Sequence, residues 1–477
     1  MITFISSLIL LFLGYAFYGK LVEKIFGINE GRKTPAYTKQ DGVDYVPMDW
    51  KINSLVQLLN IAGLGPIYGA ISGALWGPSA FLWIVFGGIL GGAVHDYLAG
   101  MISIRTGGAN VPAMVGKFLG NGMKQFTNIF SVILLILVGA TFTAGPAGLL
   151  SAITHLSLQF WVIVIIIYYF LATLLPIDKI IGKIYPYFGA LLIIMAMAVG
   201  IAMILGVGGH HMAELTLKNL NPNGLPRWPL LFVTIACGAV SGFHATQSPL
   251  VARCTKNEKE GRKIFYGMMI LESVIALIWA AAAIYFYDGT AGLGKVLATP
   301  AGPSGVVKDV TLGLLGPIGG TLAIIGVIVL PITSGDTSFR GARLTIAEYL
   351  KWDQKNIGKR YAIAIPIILI GYILTQIDFS IVWRYFAWAN QTLAMIMLWA
   401  GAAYLSKENR FHWIATVPAT FMTAVSFTYI LMAPEGFRLP QQISYPVGIV
   451  ITLTILLIFL IRIVYRKTEM NLAEKEI

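Results

Sequence analysis

Apolar runs of about 20 residues, the length an α-helix needs to cross a bilayer, recur along the whole chain between short polar stretches. The pattern predicts thirteen spans, at about 3–19, 52–74, 79–104, 126–150, 158–175, 186–206, 229–251, 265–287, 313–334, 361–376, 382–404, 412–432 and 444–465. The fold class expected is therefore an all-α polytopic membrane protein. Only Met1 precedes the first run and no small-residue cleavage site follows it, so that run is read as a retained span rather than a signal peptide.

Two spans interrupt their apolar pattern at mid-depth. Span 2 reads INSLVQLLNIAGLGPIYGAISG and carries Asn60, Gly63, Gly65 and Pro66 at its centre. Span 7 lies in LLFVTIACGAVSGFHATQSPLVARC, where Gly238, Gly242, His244, Thr246, Gln247 and Pro249 fall close together. Glycine lowers helix propensity, and Pro66 also removes a backbone donor and frees carbonyls one turn back. In hydrocarbon an unwound polar segment survives only where protein buries it or where it lines a watery cavity. Because the two interrupted spans stand five apart, an odd number, they enter the bilayer from opposite sides. That is the arrangement of an inverted repeat with a central transport site. The expected architecture is a five-plus-five core, spans 2–6 and 7–11, with one span before it and two after. The chain then divides into 1–51, repeats at 52–206 and 229–404, and an ending at 412–477. For either span alone, close helix packing on small residues explains the glycines as well.

Composition agrees: 57% of the 477 residues are hydrophobic and only 12% charged, against about 25% charged in soluble domains. The net charge of +12 would suit a nucleic-acid partner, but its distribution speaks for topology instead. Of the 34 Lys and Arg, 28 fall on one set of alternating connections, at 20–51, 105–125, 176–185, 252–264, 335–360, 405–411 and the C-terminal end. The six others are Lys218, Arg227, Lys295, Lys308, Arg384 and Arg438. Basic residues accumulate in cytoplasmic loops, which puts the N-terminus outside and the C-terminus in the cytoplasm. No loop is long enough for a sizeable soluble domain. Residues 337–351 read either as an amphipathic helix on the inner surface or as an ordinary loop helix.

Ionisable groups within spans are costly and are functional candidates by default. His95 and Asp96 in span 3, Glu272 in span 8 and Asp336 at the end of span 9 could form a proton or cation path. The alternative pairs each carboxylate with a basic residue such as Arg105, Arg253, Arg340 or Arg343. His244, Thr246 and Gln247 are candidates for substrate contact at the break of span 7, with Gly242 beside them; His244 could also move a proton near neutral pH or serve as a hydrogen-bonded packing residue. Thr333 and Ser334 either join carbonyls freed at the span 2 break in an all-oxygen cation site or bond back to their own helix. Asn390 and Gln391 in span 11 line a cavity or bond between helices. Two cysteines, Cys237 and Cys254, give no disulfide framework. No metal-hydrolase, redox or nucleotide-binding motif is present, so no cofactor is expected, nor any metal beyond sodium at Thr333 and Ser334.

At these residues the chain resembles the carbon starvation protein A family, in its short form. The similar stretches are NIAGLGPIYG (60–69), GGAVHDYLAGMISIRTGG (91–108), ACGAVSGFHATQSPL (236–250), LESVIALIW (271–279), TSGDTSFRGARL (333–344) and WRYFAWANQTLA (383–394). The resemblance implies a secondary transporter of the bacterial cytoplasmic membrane that imports short peptides or, in some members, pyruvate with protons. It also implies kinship with transporters of the LeuT-type inverted repeat, in which spans 2 and 7 are the two broken helices. Its partners would be a small-molecule substrate and the lipid bilayer. A nutrient sensor, an uncoupled facilitator or channel, and a membrane-embedded enzyme are the alternatives, the enzyme lacking a recognisable nucleophile.

Overall fold

The computed structural model describes residues 1–42, 44–174, 178–216, 218–352 and 356–465, the side chains of 173–186 excepted. Residues 176–177 and 353–355 of two basic connections, and the tail from 466, lie outside the described residues. Among those described there is no β-strand beyond one isolated bridge. Among the described residues nine helices are long and apolar enough to cross a membrane, or ten if the bent pair near the N-terminus is one span.

The chain opens with α1 (Ile2–Phe26) and continues into the bent pair α2 (Trp50–Ile61) and α3 (Gly65–Trp76), which meet at 57°. Then come α4 (Ser79–Arg105), the short α5 (Val111–Leu119), α6 (Asn121–Thr154), α7 (Leu158–Leu174) and α8 (Asp178–Ile204). The second half begins with the pieces α9 (Leu230–Thr234) and α10 (Gly242–Ala252). It continues with α11 (Glu258–Phe286), α12 (Thr290–Leu297), α13 (Gly302–Leu350), α14 (Ile357–Leu374) and α15 (Phe379–Lys407), and ends with α16 (Trp413–Met432) and α17 (Gln441–Tyr465).

Both interrupted spans break at glycines, the first at Gly63 just before Pro66 and the second at Gly238, yet the second break differs in position from the sequence reading. The unwound stretch is Ile235–Ser241, and His244, Thr246 and Gln247 lie on the helix that follows it. The reason is local. Gly238 takes φ +86°, a left-handed conformation that other residues adopt at a cost, and it interrupts the helix upstream of the polar residues. α13 also departs from expectation. It bends at Gly316 (φ 70°, ψ −179°) and then runs unbroken through 337–350, so no separate surface helix forms there. Phe339, Ala342 and Ala347 are buried inside the protein, which removes the apolar face such a helix would offer to lipid.

At one end of the core, residues 27–42 and 44–48 lie as a strap against the end of α4 and the connection from α10 into α11. Glu258, fully buried, accepts from Arg105 at 2.8 and 3.1 Å and from the Asn29 amide at 2.8 Å. Arg105 also donates to the Gly27 carbonyl and the Tyr404 hydroxyl, and its guanidinium sits 4.1 Å from the Phe26 ring centre. Farther along the strap, the Met48 amide donates to the Cys254 carbonyl at 3.0 Å.

Candidate functional site

The two breaks cross each other, and the crossing is made by small residues. A side chain on Gly65 would run into Cys237, and one on Gly238 would meet Ala276 with Pro66 beyond it. On one side of the crossing α2 is zipped to α10: Asn53 donates to the Val251 carbonyl (3.3 Å) and to Thr255 (3.1 Å), and Gln57 to Ser248 (3.3 Å). On the other side α3 lies against α9. There Tyr68, Phe379, Trp383, Phe386, Phe142 and Phe243 form a column of rings with centres 5.3–6.2 Å apart. Phe142 fills the space that a side chain at Gly63 would need.

A broken helix leaves carbonyls and amides without partners, and hydrocarbon supplies none. Here α15 and α4 supply them. Asn390 Oδ1 accepts from the Phe243 amide at the start of α10 (2.6 Å) and from the Ser241 hydroxyl (3.2 Å). Gln391 donates to the Phe232 carbonyl in α9 (3.0 Å), and the Trp83 indole to the Ile235 carbonyl (3.0 Å). Of the two readings of Asn390 and Gln391, the structure shows interhelical bonding. The N-terminus of α10 is thus occupied by the protein's own amide group. The same Trp83 lines an apolar cleft of about 480 Å³ between α4, α9 and α16.

Four ionisable side chains meet beside the crossing. His95 Nδ1 is 2.7 Å from Asp96 Oδ1, Asp96 Oδ2 is 2.9 Å from His244 Nδ1, and His244 Nε2 is 3.2 Å from Glu272 Oε2. All four are fully buried. Asp96 is therefore partnered by two histidines, not by a loop arginine, because its carboxylate points along α4 toward α10. Asp336 does follow the pairing expectation, lying 3.3 Å from Arg340 one turn on, and is not part of this chain of contacts. His244, a candidate for substrate contact or proton movement from its sequence context, links the carboxylates of α4 and α11. Nothing in sequence spacing marks that link, since residues 96, 244 and 272 approach only through tertiary packing.

The remaining candidates divide. Asn60 is buried on the last turn of α2, and Gly63, Gly65 and Pro66 form the break and the start of α3. Gly242 packs so closely on the α15 backbone that no side chain fits. Thr246 bonds back to the Phe243 carbonyl and receives Gln247 Nε2 at 3.0 Å. Thr333 also bonds back, to the Leu330 carbonyl, whereas Ser334 reaches across to the Leu59 carbonyl at 3.2 Å. The hydroxyl of Ser334 is thus beside the last turn before the first break.

The family described as Carbon starvation protein CstA matches residues 1–150, 144–301 and 289–429. An uncharacterized membrane protein of Haemophilus influenzae is 46% identical over 354 residues, spanning 62% of this chain and 94% of its own. The peptide transporter CstA of Campylobacter jejuni is 25% identical over 578 residues, spanning 92% and 82%. The pyruvate/proton symporter BtsT of Escherichia coli is 26% identical over 366 residues, spanning 60% of this chain and 51% of its own. Among solved structures, a manganese transporter of Eremococcus coleocola has a similar fold, with a TM-score of 0.55 over 88% of this chain and 96% of its own at 13% identity.

Proposed function

The chain belongs to the carbon starvation protein CstA family, and from that premise we propose that it is a secondary active transporter, importing a small carbon source across the bacterial cytoplasmic membrane. Short peptides and pyruvate are the substrate classes that the names of its relatives support. The observation that carries the reading is the crossing of two broken helices whose loose ends are satisfied by α4 and α15. Helices interrupted in corresponding positions of two halves are the hallmark of a transporter's central site. Solute binds when the closed crossing opens, beside Asn60, Gly63, Gly65, Pro66 and Gly242 with Thr246 and Gln247 at the edge, and access alternates as α2 parts from α10 on one side and α3 from α9 on the other. Asn390 holds the second break in register. The architecture proposed is a LeuT-like repeat of α2–α8 and α9–α15, with the N-terminus outside. It acts as a carrier rather than an enzyme.

Coupling is to H⁺ or Na⁺. His95, Asp96, His244 and Glu272 offer a continuous buried path for a cation, and Thr333 and Ser334 with the Leu59 carbonyl offer oxygen ligands for sodium. The test is uptake of labelled pyruvate and of a labelled dipeptide into proteoliposomes under an imposed proton gradient and, separately, a sodium gradient. Accumulation of one solute above equilibrium under one gradient is expected. Flux that only equilibrates under both gradients, or no flux, contradicts the proposal.

A further inference from the structure

Three side chains of metal-ligand type converge where α11 passes the second break. Cys237, His244 and Glu272 each present one ligand atom, and these atoms lie within 4.8 Å of one another. None is more than 1% exposed. His244 Nδ1 is held by Asp96, so the ring turns Nε2 toward the other two. Nε2 stands 3.2 Å from Glu272 Oε2 in an ion-pair contact, but neither that nitrogen nor either carboxylate oxygen of Glu272 makes a hydrogen bond of ordinary geometry. Burying an imidazole nitrogen and a carboxylate with so little hydrogen bonding is costly, and a cation placed between them and the Cys237 sulfur would offset that cost.

We propose that Cys237, His244 and Glu272 bind one divalent transition-metal ion of the Zn²⁺ class, and that its presence ties α10 to α11 and arrests the transport cycle. Thiolate, imidazole and carboxylate are the ligands that such ions take, at about 2.0–2.3 Å. Asp96 stands in the position of the outer carboxylate that orients a metal-bound histidine. Asn390 Nδ2 at 3.3 Å and the Ser241 hydroxyl at 3.4 Å are placed to donate to the sulfur. The break supplies Cys237, α10 supplies His244 and α11 supplies Glu272, so the ion would bridge parts that move separately when the site opens. The inference rests on the transport reading in one respect: an ion reaches so enclosed a point only when α10 shifts.

The test uses the full-length protein, purified and stripped with a chelator, then titrated with Co²⁺ and with Zn²⁺. One Co²⁺ per chain is expected, with a thiolate-to-metal charge-transfer band that Zn²⁺ abolishes. Cys237→Ser should lose the band, Glu272→Gln should weaken binding at least about tenfold, and Cys254→Ser should bind as the parent does. Size-exclusion profiles and thermal unfolding of the stripped variants establish that they are folded. Absence of saturable binding by the parent, or a band that survives in folded Cys237→Ser, overturns the inference. Solute uptake by stripped protein is measured in parallel. Uptake without metal binding overturns this inference alone, whereas metal binding without uptake under either gradient overturns the transport reading alone.

Discussion

Gly65 and Cys237 touch where the two breaks cross, and neither leaves room for more. A Gly65→Ala substitution adds one methyl to a filled interior, a change that costs about 1–3 kcal/mol when the surroundings cannot yield. It should lower the thermal unfolding temperature of the purified protein. Combining it with Cys237→Gly, which removes the opposing side chain, should recover much of the loss. Equal unfolding temperatures for the single and double variants would show that the two positions are not in contact. Residues of this kind were only half legible beforehand. That Gly63, Gly65 and Pro66 interrupt a span follows from their conformational preferences alone. That Cys237 is what Gly65 must avoid does not, because the contact joins positions 172 apart in the chain. Asp96 teaches the same lesson: basic residues in nearby loops were the obvious partners by sequence, and two histidines took their place through packing.

The helices and their connections behave as units with distinct tasks. The polar, glycine-rich pattern located both broken spans, but the unwound part of the second falls on Ile235–Ser241 rather than on the polar residues after it. Polarity shows where a helix has business other than lipid, while a left-handed glycine shows where it turns. The strap formed by 27–42 and 44–48 had no signature beyond mixed charge, since its hold depends on Glu258 and Arg105 from remote elements. Removing one member of a buried ion pair leaves the other uncompensated, at a cost of about 3–5 kcal/mol. Glu258→Ala should therefore release the strap, seen as faster amide hydrogen exchange across residues 27–34. Exchange no faster than in the parent would mean that the strap is held by other contacts.

The whole molecule is a membrane protein whose class was plain from apolar runs, and whose proposed orientation follows from the skew of Lys and Arg. In a Cys254→Ser background, cysteines placed at Lys218 and Lys295 should react with a membrane-impermeant maleimide added to intact cells. Cysteines at Lys39 and Lys259 should react only after permeabilisation; the reverse pattern would invert the topology. The central claim is that access to the crossing alternates by parting α2 from α10. It is tested most directly by locking those helices together at a place where they already touch, with the pair Gln57→Cys and Ser248→Cys joined by a short thiol cross-linker. Solute uptake by the cross-linked protein in proteoliposomes should fall to background and return when a reductant cleaves the link. Unimpaired uptake with the link shown to be complete would mean that α2 and α10 need not separate, and the account of alternating access would be wrong.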